Sequence, residues 1–329
     1  MSQRLLRLLA LAILLAAAFM LSIAVGAAEL ALPDVLRAFG GSADATSRTI
    51  VLELRLPRAI VAALVGGALA LAGAVFQALL RNPLAEPYLL GVSGGAAVGA
   101  VAAVALGWAA TAPWSLPLAA FGGALLAIGI VFRVALATSP ILDTRVLLLA
   151  GVVTGAFANA IILLLLSLTT LEMFRSAIFW MMGMLSGATW SSAALLAIYL
   201  APGMIVLLAL ARPLDLLAVG EESALYLGLG VETVKRVAFI VSSLVVAATV
   251  SVSGVVGFIG LVVPHMIRLA WGSDHRLLLP GSVLAGAAFL LLADTLARTV
   301  VAPTELPVGV VTAIVGVPLF IVLLTRRTA

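Results

Sequence analysis

The sequence predicts an all-α membrane protein of about ten transmembrane helices, and three observations carry that expectation. Hydrophobic residues are 64% of the 329 and mean hydropathy is +1.30, more apolar surface than one soluble core of this length encloses. Apolar runs of about 18 residues or more recur along the whole chain. The runs are continuous rather than alternating, so helices fit and barrel strands do not.

In chain order, the spans fall near 5–28, 58–80, 89–107, 115–137, 146–168, 192–211, 236–252, 254–271, 277–297 and 307–325. The first follows Arg4 and Arg7 and ends in VGAAE. A cleaved leader is the alternative, but the apolar run exceeds a usual leader core, so it reads as a span. The second and third carry GGALALAG (66–73) and GVSGGAAVGA (91–100). Small residues let helices approach closely in lipid, so these read as packing seams, with a lumen wall as the alternative. The seventh and eighth spans are short and separated by little more than Ser253 and Gly254. No polar domain or linker interrupts the series, so 1–329 reads as a single membrane domain. No internal repeat is evident.

Charge supports counting the seventh and eighth as two. With ten spans, Arg4, Arg7, Arg81, Arg133, Arg145, Arg212, Lys235, Arg236, Arg268, Arg276, Arg326 and Arg327 share one side with both termini. Arg37, Arg48, Arg55, Arg58, Arg175 and Arg298 take the other. The excess predicts that the first side, with both termini, is cytoplasmic. Trp108, Trp114, Trp180, Trp190 and Trp271 fall near span ends, as interfacial anchors do. The basic residues are scattered over loops, so the net charge of +4 does not indicate nucleic-acid binding.

Several chemistries are excluded. Without cysteine there is no disulfide or thiolate metal site, and His265 and His275 are too few for a histidine metal centre. No nucleophile elbow, phosphate loop or histidine–carboxylate pair with useful spacing appears, which disfavours a membrane enzyme. Asp294 is the one carboxylate deep in a span, and a buried ionisable group there is a functional candidate. Arg298 lies four residues on, so a local pair is the simpler account. A proton relay would need further intramembrane carboxylates, and their lack disfavours an ion-coupled secondary transporter.

The stretch LAVGEESALYLG (217–228) stands out in a chain only 10% charged. Glu221 and Glu222 follow Gly220 and sit where a helix dipole favours acids, with Gly228 and Gly230 to stop the helix. Ala224, Leu225 and Leu227 offer apolar contacts. The pattern fits equally a docking helix for a soluble partner or a helix lying on the headgroups.

LRLPRAIVAALVGGALALAGAVFQALLRNPLAEPYLLGVSGGA (54–96), FWMMGMLSGATW (179–190), GFIGLVVPHMIRL (257–269), GSDHRLLLPGSVLAGAAFLLLAD (272–294) and ELPVGVVTAIVGVPLFIVLL (305–324) resemble the FecCD-type permeases of iron-chelate and cobalamin import. The resemblance covers nearly the whole chain in order. It implies a type II ABC importer permease: two copies pair in a bacterial inner membrane, two ATP-binding subunits dock below, and a periplasmic or lipid-anchored binding protein docks above. ATP and Mg would be bound by the partner ATPase and no cofactor by this chain. The segment 217–230, with Gly220, Glu221 and Glu222, looks like the family's ATPase coupling helix. Arg55, Arg58 and Arg298 look like arginines that receive binding-protein carboxylates, with snorkelling to headgroups the alternative. Asn82 and Leu84, and Asp143 with Thr144, look like two layers of a cytoplasmic gate. Asp143 and Tyr88 depart from the hydroxyl and small residue expected there. The two histidines are expected to serve packing or hydrogen bonding.

Overall fold

A computed structural model describes residues 3–41, 43–112, 114–138 and 142–325. Arg326 and Arg327, counted in the charge excess, lie outside the described residues. Helix α1 (Gln3–Ala24) is followed by short α2 (Leu32–Gly40), which Gly41 ends in the left-handed region at φ 75°. Asp44 caps α3 (Ala45–Thr49) by accepting the Ser47 N–H at 3.0 Å. A π-helical turn, Ile50–Arg55, then runs without a break into α4 (Leu56–Leu79). The second span therefore starts thirteen residues before the expected 58, because the Asp44 cap and this turn extend the helix.

A tight 3-10 turn, Pro87–Leu90, leads into α5 (Val92–Ala105), then α6 (Trp108–Thr111), α7 (Ser115–Thr138) and α8 (Thr144–Ser167). Helices α9 (Leu171–Met181), α10 (Trp190–Ala209), α11 (Ala211–Val219) and α12 (Glu221–Tyr226) follow. The series closes with α13 (Val231–Ser253), α14 (Ile259–Trp271), α15 (His275–Ala297) and α16 (Val308–Thr325). Among the described residues, seven segments are long and apolar enough to cross a membrane, and the shorter α5, α14 and α16 match the other three expected spans. The break between α13 and α14 spans Gly254–Phe258, wider than the two residues expected. Helices α2 and α9, too short and too mixed in polarity to register as spans, had no counterpart in the sequence expectation.

Helix α4 is buried along nearly its whole length and forms the centre, packed by α15, α13, α14 and α10. It packs tightly on α15, where a Cβ on Gly66 would overlap the carbonyl oxygen of Gly286. Gly73 meets Gly260 of α14 in the same way. The glycine stretches are thus packing seams, as expected. Helices α1, α8 and α10 are mostly uncovered.

The charged residues sort to two ends. One end holds Arg4 against Asp274 at 2.7 Å, the Arg7 guanidinium over the Trp271 ring, and Arg81 against Glu221 at 3.1 Å. His275 Nδ1 meets Asp215 Oδ1 at 2.6 Å there. The other end holds Arg55, Arg58 and Arg298 with Ser22 and Glu305. These two groups of residues lie at opposite ends of the helices, matching the two sides to which the sequence assigns them.

Candidate functional site

At the arginine end, α4, α15 and the segments after α1 and α15 bring three guanidinium groups around a cavity of about 260 Å³. Arg58 Nε reaches both oxygens of Asp294 at 3.1 and 3.0 Å, and its Nη2 reaches Oδ1 at 2.8 Å. Arg58 Nη1 takes both oxygens of Glu305 at 2.9 Å. One arginine thus holds two carboxylates. Arg298, the expected local partner of Asp294, has its Nε 3.8 Å from Oδ2. It donates instead to the carbonyl and hydroxyl oxygens of Ser22. The expected local Asp294–Arg298 pair is thus present but long, and the closer partner is Arg58 on the neighbouring helix, whose planar fork can align with the carboxylate. Arg55 is buried, donating to the carbonyls of Ile23 and Ala24 at 2.8 Å and to that of Ala28. Gly26 leaves the space its guanidinium fills. Three cations and two carboxylates leave one positive charge in excess.

At the opposite end, Gly220 (φ 140°) turns the chain from α11 into α12. Glu221 faces inward, bridging Arg81 at 3.1 Å and Lys235 at 3.1 Å. Glu222, Leu225, Tyr226 and Leu227 point outward, and Tyr226 is 85% exposed. Ala224, expected among the outer contacts, is fully buried beneath them because i and i+3 from Glu221 share the inner face.

The segments expected to form the gate begin beside this helix. Asn82 Oδ1 accepts the Leu84 N–H at 2.9 Å, and Leu84 is exposed. Asp143 caps α8 by accepting the Arg145 N–H at 2.8 Å, which accounts for an aspartate at that position. Asp143 and Thr144 line a polar cavity of about 570 Å³ with Arg81, Glu221 and Lys235, whereas Asn82 and Leu84 lie off it.

Beyond Leu84 the loop is pinned to the α13–α14 break. Glu86 Oε1 accepts the Phe258 N–H at 2.9 Å, and burial pushes the Glu86 carboxyl upward against that bond. The Tyr88 hydroxyl donates to Val256 O at 2.9 Å and accepts Val256 N–H at 3.1 Å. The unexpected tyrosine is thus a two-point anchor. Both non-glycine residues with positive φ, among those described, bound this loop and its dock: Arg81 at 47° and Phe258 at 69°. Sequence reasoning missed Glu305, Lys235 and Glu232; the one available signal was that Lys235 is the chain's only lysine.

The model of the FecCD transport family matches residues 14–326. The chain belongs to this family. A FecCD-type chain is the permease of an ABC transporter, whose ATPase is a separate subunit. Among its FecCD relatives, the vitamin B12 import system permease protein BtuC of Salmonella paratyphi A is 44% identical over 319 residues, covering 97% of this chain and 94% of that one. The uncharacterized ABC transporter permease protein YvrB of Bacillus subtilis (strain 168) is 40% identical over 323 residues, covering 95% and 91%. In three dimensions the chain is similar to a metal-chelate type ABC transporter solved in an inward-facing conformation, with TM-score 0.88, 30% identity and coverage of 97% and 98%. PsaBC from Streptococcus pneumoniae, at TM-score 0.54 and 16% identity, shares the fold alone. The expected all-helical, type II permease architecture is therefore this FecCD chain's fold.

Proposed function

We propose that this chain is the membrane subunit of a binding-protein-dependent, ATP-driven importer of a bulky metal chelate of the ferric siderophore, haem or cobalamin class. Two copies form the pathway in a bacterial inner membrane, with the α12 end cytoplasmic. One observation favours this over an ion-coupled carrier: Asp294, the fully buried carboxylate of the spans, is neutralised by the two-point ion pair with Arg58 and is not poised to carry a proton or sodium ion. Energy must then come from a partner, and the outward face Glu222–Leu225–Tyr226–Leu227 of α12 supplies a mixed acidic and apolar surface for an ATPase subunit. ATP and Mg belong to that subunit.

At the other end the excess cation among Arg55, Arg58 and Arg298 suits a carboxylate of the binding protein. Glu305, partly exposed, occupies the open side of the Arg58 fork and would be displaced by that carboxylate. Asn82 and Leu84, with Asp143 and Thr144, would close the inner end of the pathway.

Reconstitution into proteoliposomes with its ATPase and binding protein tests the reading. Uptake of labelled cobalamin, ferric siderophore or haem should require ATP and persist when ion gradients are collapsed. Uptake without the ATPase, driven by an imposed proton or sodium gradient, would overturn it.

A further inference from the structure

Lys235 lies in the second turn of α13 with a side chain only 3% exposed. Its Nζ stands 3.1 Å from Glu221 Oε2 and 3.4 Å from Glu232 Oε1. Each of those carboxylates has a second engagement. Glu221 Oε1 takes Arg81 Nη2 at 3.1 Å, and Glu232 Oε2 accepts the Leu142 N–H at 3.0 Å. The two outer members are the immediate neighbours of the gate segments: Arg81 precedes Asn82, and Leu142 precedes Asp143.

A lysine suits the middle of such a chain. Its ammonium carries three donors on a flexible stem, so it can hold two acids at once and follow either as it moves. Burial strengthens the pairing and makes loss of either partner costly. Arg81 adds a second feature. It holds a left-handed φ of 47° that a non-glycine residue avoids, so the conformation of its turn depends on contacts from outside the turn, and Glu221 of α12 is one. The polar cavity of about 570 Å³ beside Arg81, Asp143, Thr144, Glu221 and Lys235 gives the segments room to shift without opening the packed core.

We propose that Lys235, with Glu221, Glu232 and Arg81, is the transmission that carries a displacement of α12 to both gate segments at once. The inference rests on reading α12 as the ATPase dock and the Asn82–Leu84 and Asp143–Thr144 segments as the inner closure. Lys235 acts as a positioning residue, touching neither nucleotide nor cargo.

The chain has no cysteine, so Leu84→Cys and Thr144→Cys introduce unique sites for spin labels. The experiment uses the full permease–ATPase complex in nanodiscs and measures distances between the two permease copies with and without nucleotide. The unaltered network should show a nucleotide-dependent shift at both sites. Lys235→Met should abolish the shift at both sites while the complex still assembles and hydrolyses ATP, Glu221→Gln should abolish the shift as well, and Lys235→Arg should restore it. Persistence of the full shift in Lys235→Met and Glu221→Gln overturns the proposal. Should Lys235→Met fail to fold, the half-exposed Glu221→Gln decides by the same two outcomes. Glu222→Arg, on the outward face, separates the underlying reading: if the ATPase still assembles and drives the shift, α12 is not the dock and the transmission falls with it. If Glu222→Arg strips the ATPase while Lys235→Met and Glu221→Gln keep the shift, the dock stands and the transmission alone is overturned.

Discussion

Arg58 and Asp294, 236 residues apart, meet in a two-point ion pair between the buried faces of α4 and α15, with the shortest approach 2.8 Å. Removing Arg58 leaves Asp294 buried with only the more distant Arg298, at 3.8 Å, to offset it, whereas removing both members takes that buried charge away as well. Arg58→Met should therefore destabilise the protein by about 3–5 kcal/mol. The double change Arg58→Met with Asp294→Leu should cost clearly less than the sum of the two single changes. Thermal denaturation in one detergent checks both; additive effects would show that the pair is not coupled.

The same arginine complicates any test of docking, because reversing its charge damages the core as well as the outer surface. Glu305 offers a cleaner handle. It is partly exposed and competes for the Arg58 fork. Glu305→Gln should tighten binding-protein association by about 1 kcal/mol, roughly fivefold, with little change in folding. Surface plasmon resonance against the immobilised permease reads this, and unchanged or weaker binding counts against a docking carboxylate at Arg58.

Burial raises the Glu86 carboxyl above its ordinary value, so the folded protein holds that proton to higher pH than the unfolded chain. Between the ordinary value and the raised one, the folded state binds more protons, so this group's contribution to stability falls as pH rises through that window. Glu86→Gln keeps an oxygen for the Phe258 N–H and removes the titration. The variant should be at least as stable as the parent at pH 8, and its advantage should shrink toward pH 4. A melting-temperature difference between the two that is constant over that range would contradict the assignment.

How much of this was legible beforehand differs by residue. The ten crossings were, because an apolar run must cross lipid with its backbone bonds closed internally. The start of α4 was not: Ile50–Arg55 holds Glu53 and Arg55, which read as an outer loop until the π-helical turn carries the helix through them. Arg55, Arg58 and Arg298 were legible as a group, but their partners were not. A spacing of four pointed Asp294 to Arg298, and only the crossing of α4 with α15 brings Arg58 closer. Glu221 and Glu222 were legible as helix-start acids, yet which one faces inward depends on how Gly220 orients α12. The network through Lys235 lay beyond sequence reasoning altogether, since it joins the turn after α4, the segment before α8, and helices α12 and α13.

The Gly66–Gly286 crossing sets the spacing of the two central helices, and a methyl group there has no free space. Gly286→Ala should cost about 1–3 kcal/mol through forced separation of α4 and α15, and that separation would also pull Arg58 from Asp294. Gly129, with no atom near its added Cβ, is the control: Gly129→Ala should be neutral or slightly stabilising within its helix. Equal melting temperatures for the two variants would refute the seam.

Tyr226 distinguishes a protein groove from the lipid headgroups as the surroundings of the outward face of α12. Its side chain is 85% exposed, beside exposed Leu225 and Leu227. A protein groove would bury this apolar run only when the ATPase is present, whereas headgroups would cover it at all times. Tyr226→Cys carrying an environment-sensitive fluorophore places a single reporter on this face, because the chain has no cysteine of its own. Its emission should shift to the blue on adding the ATPase subunit and be insensitive to brominated lipid beforehand. Tyr226→Asp should weaken ATPase association by roughly tenfold or more, since an aromatic anchor at the centre of an interface carries about 2 kcal/mol or more. It should leave the permease's own melting temperature unchanged, because the side chain touches little of its own chain. Quenching by brominated lipid with the ATPase absent, together with normal assembly of Tyr226→Asp, would mean that α12 lies on the membrane surface and that the ATPase docks elsewhere.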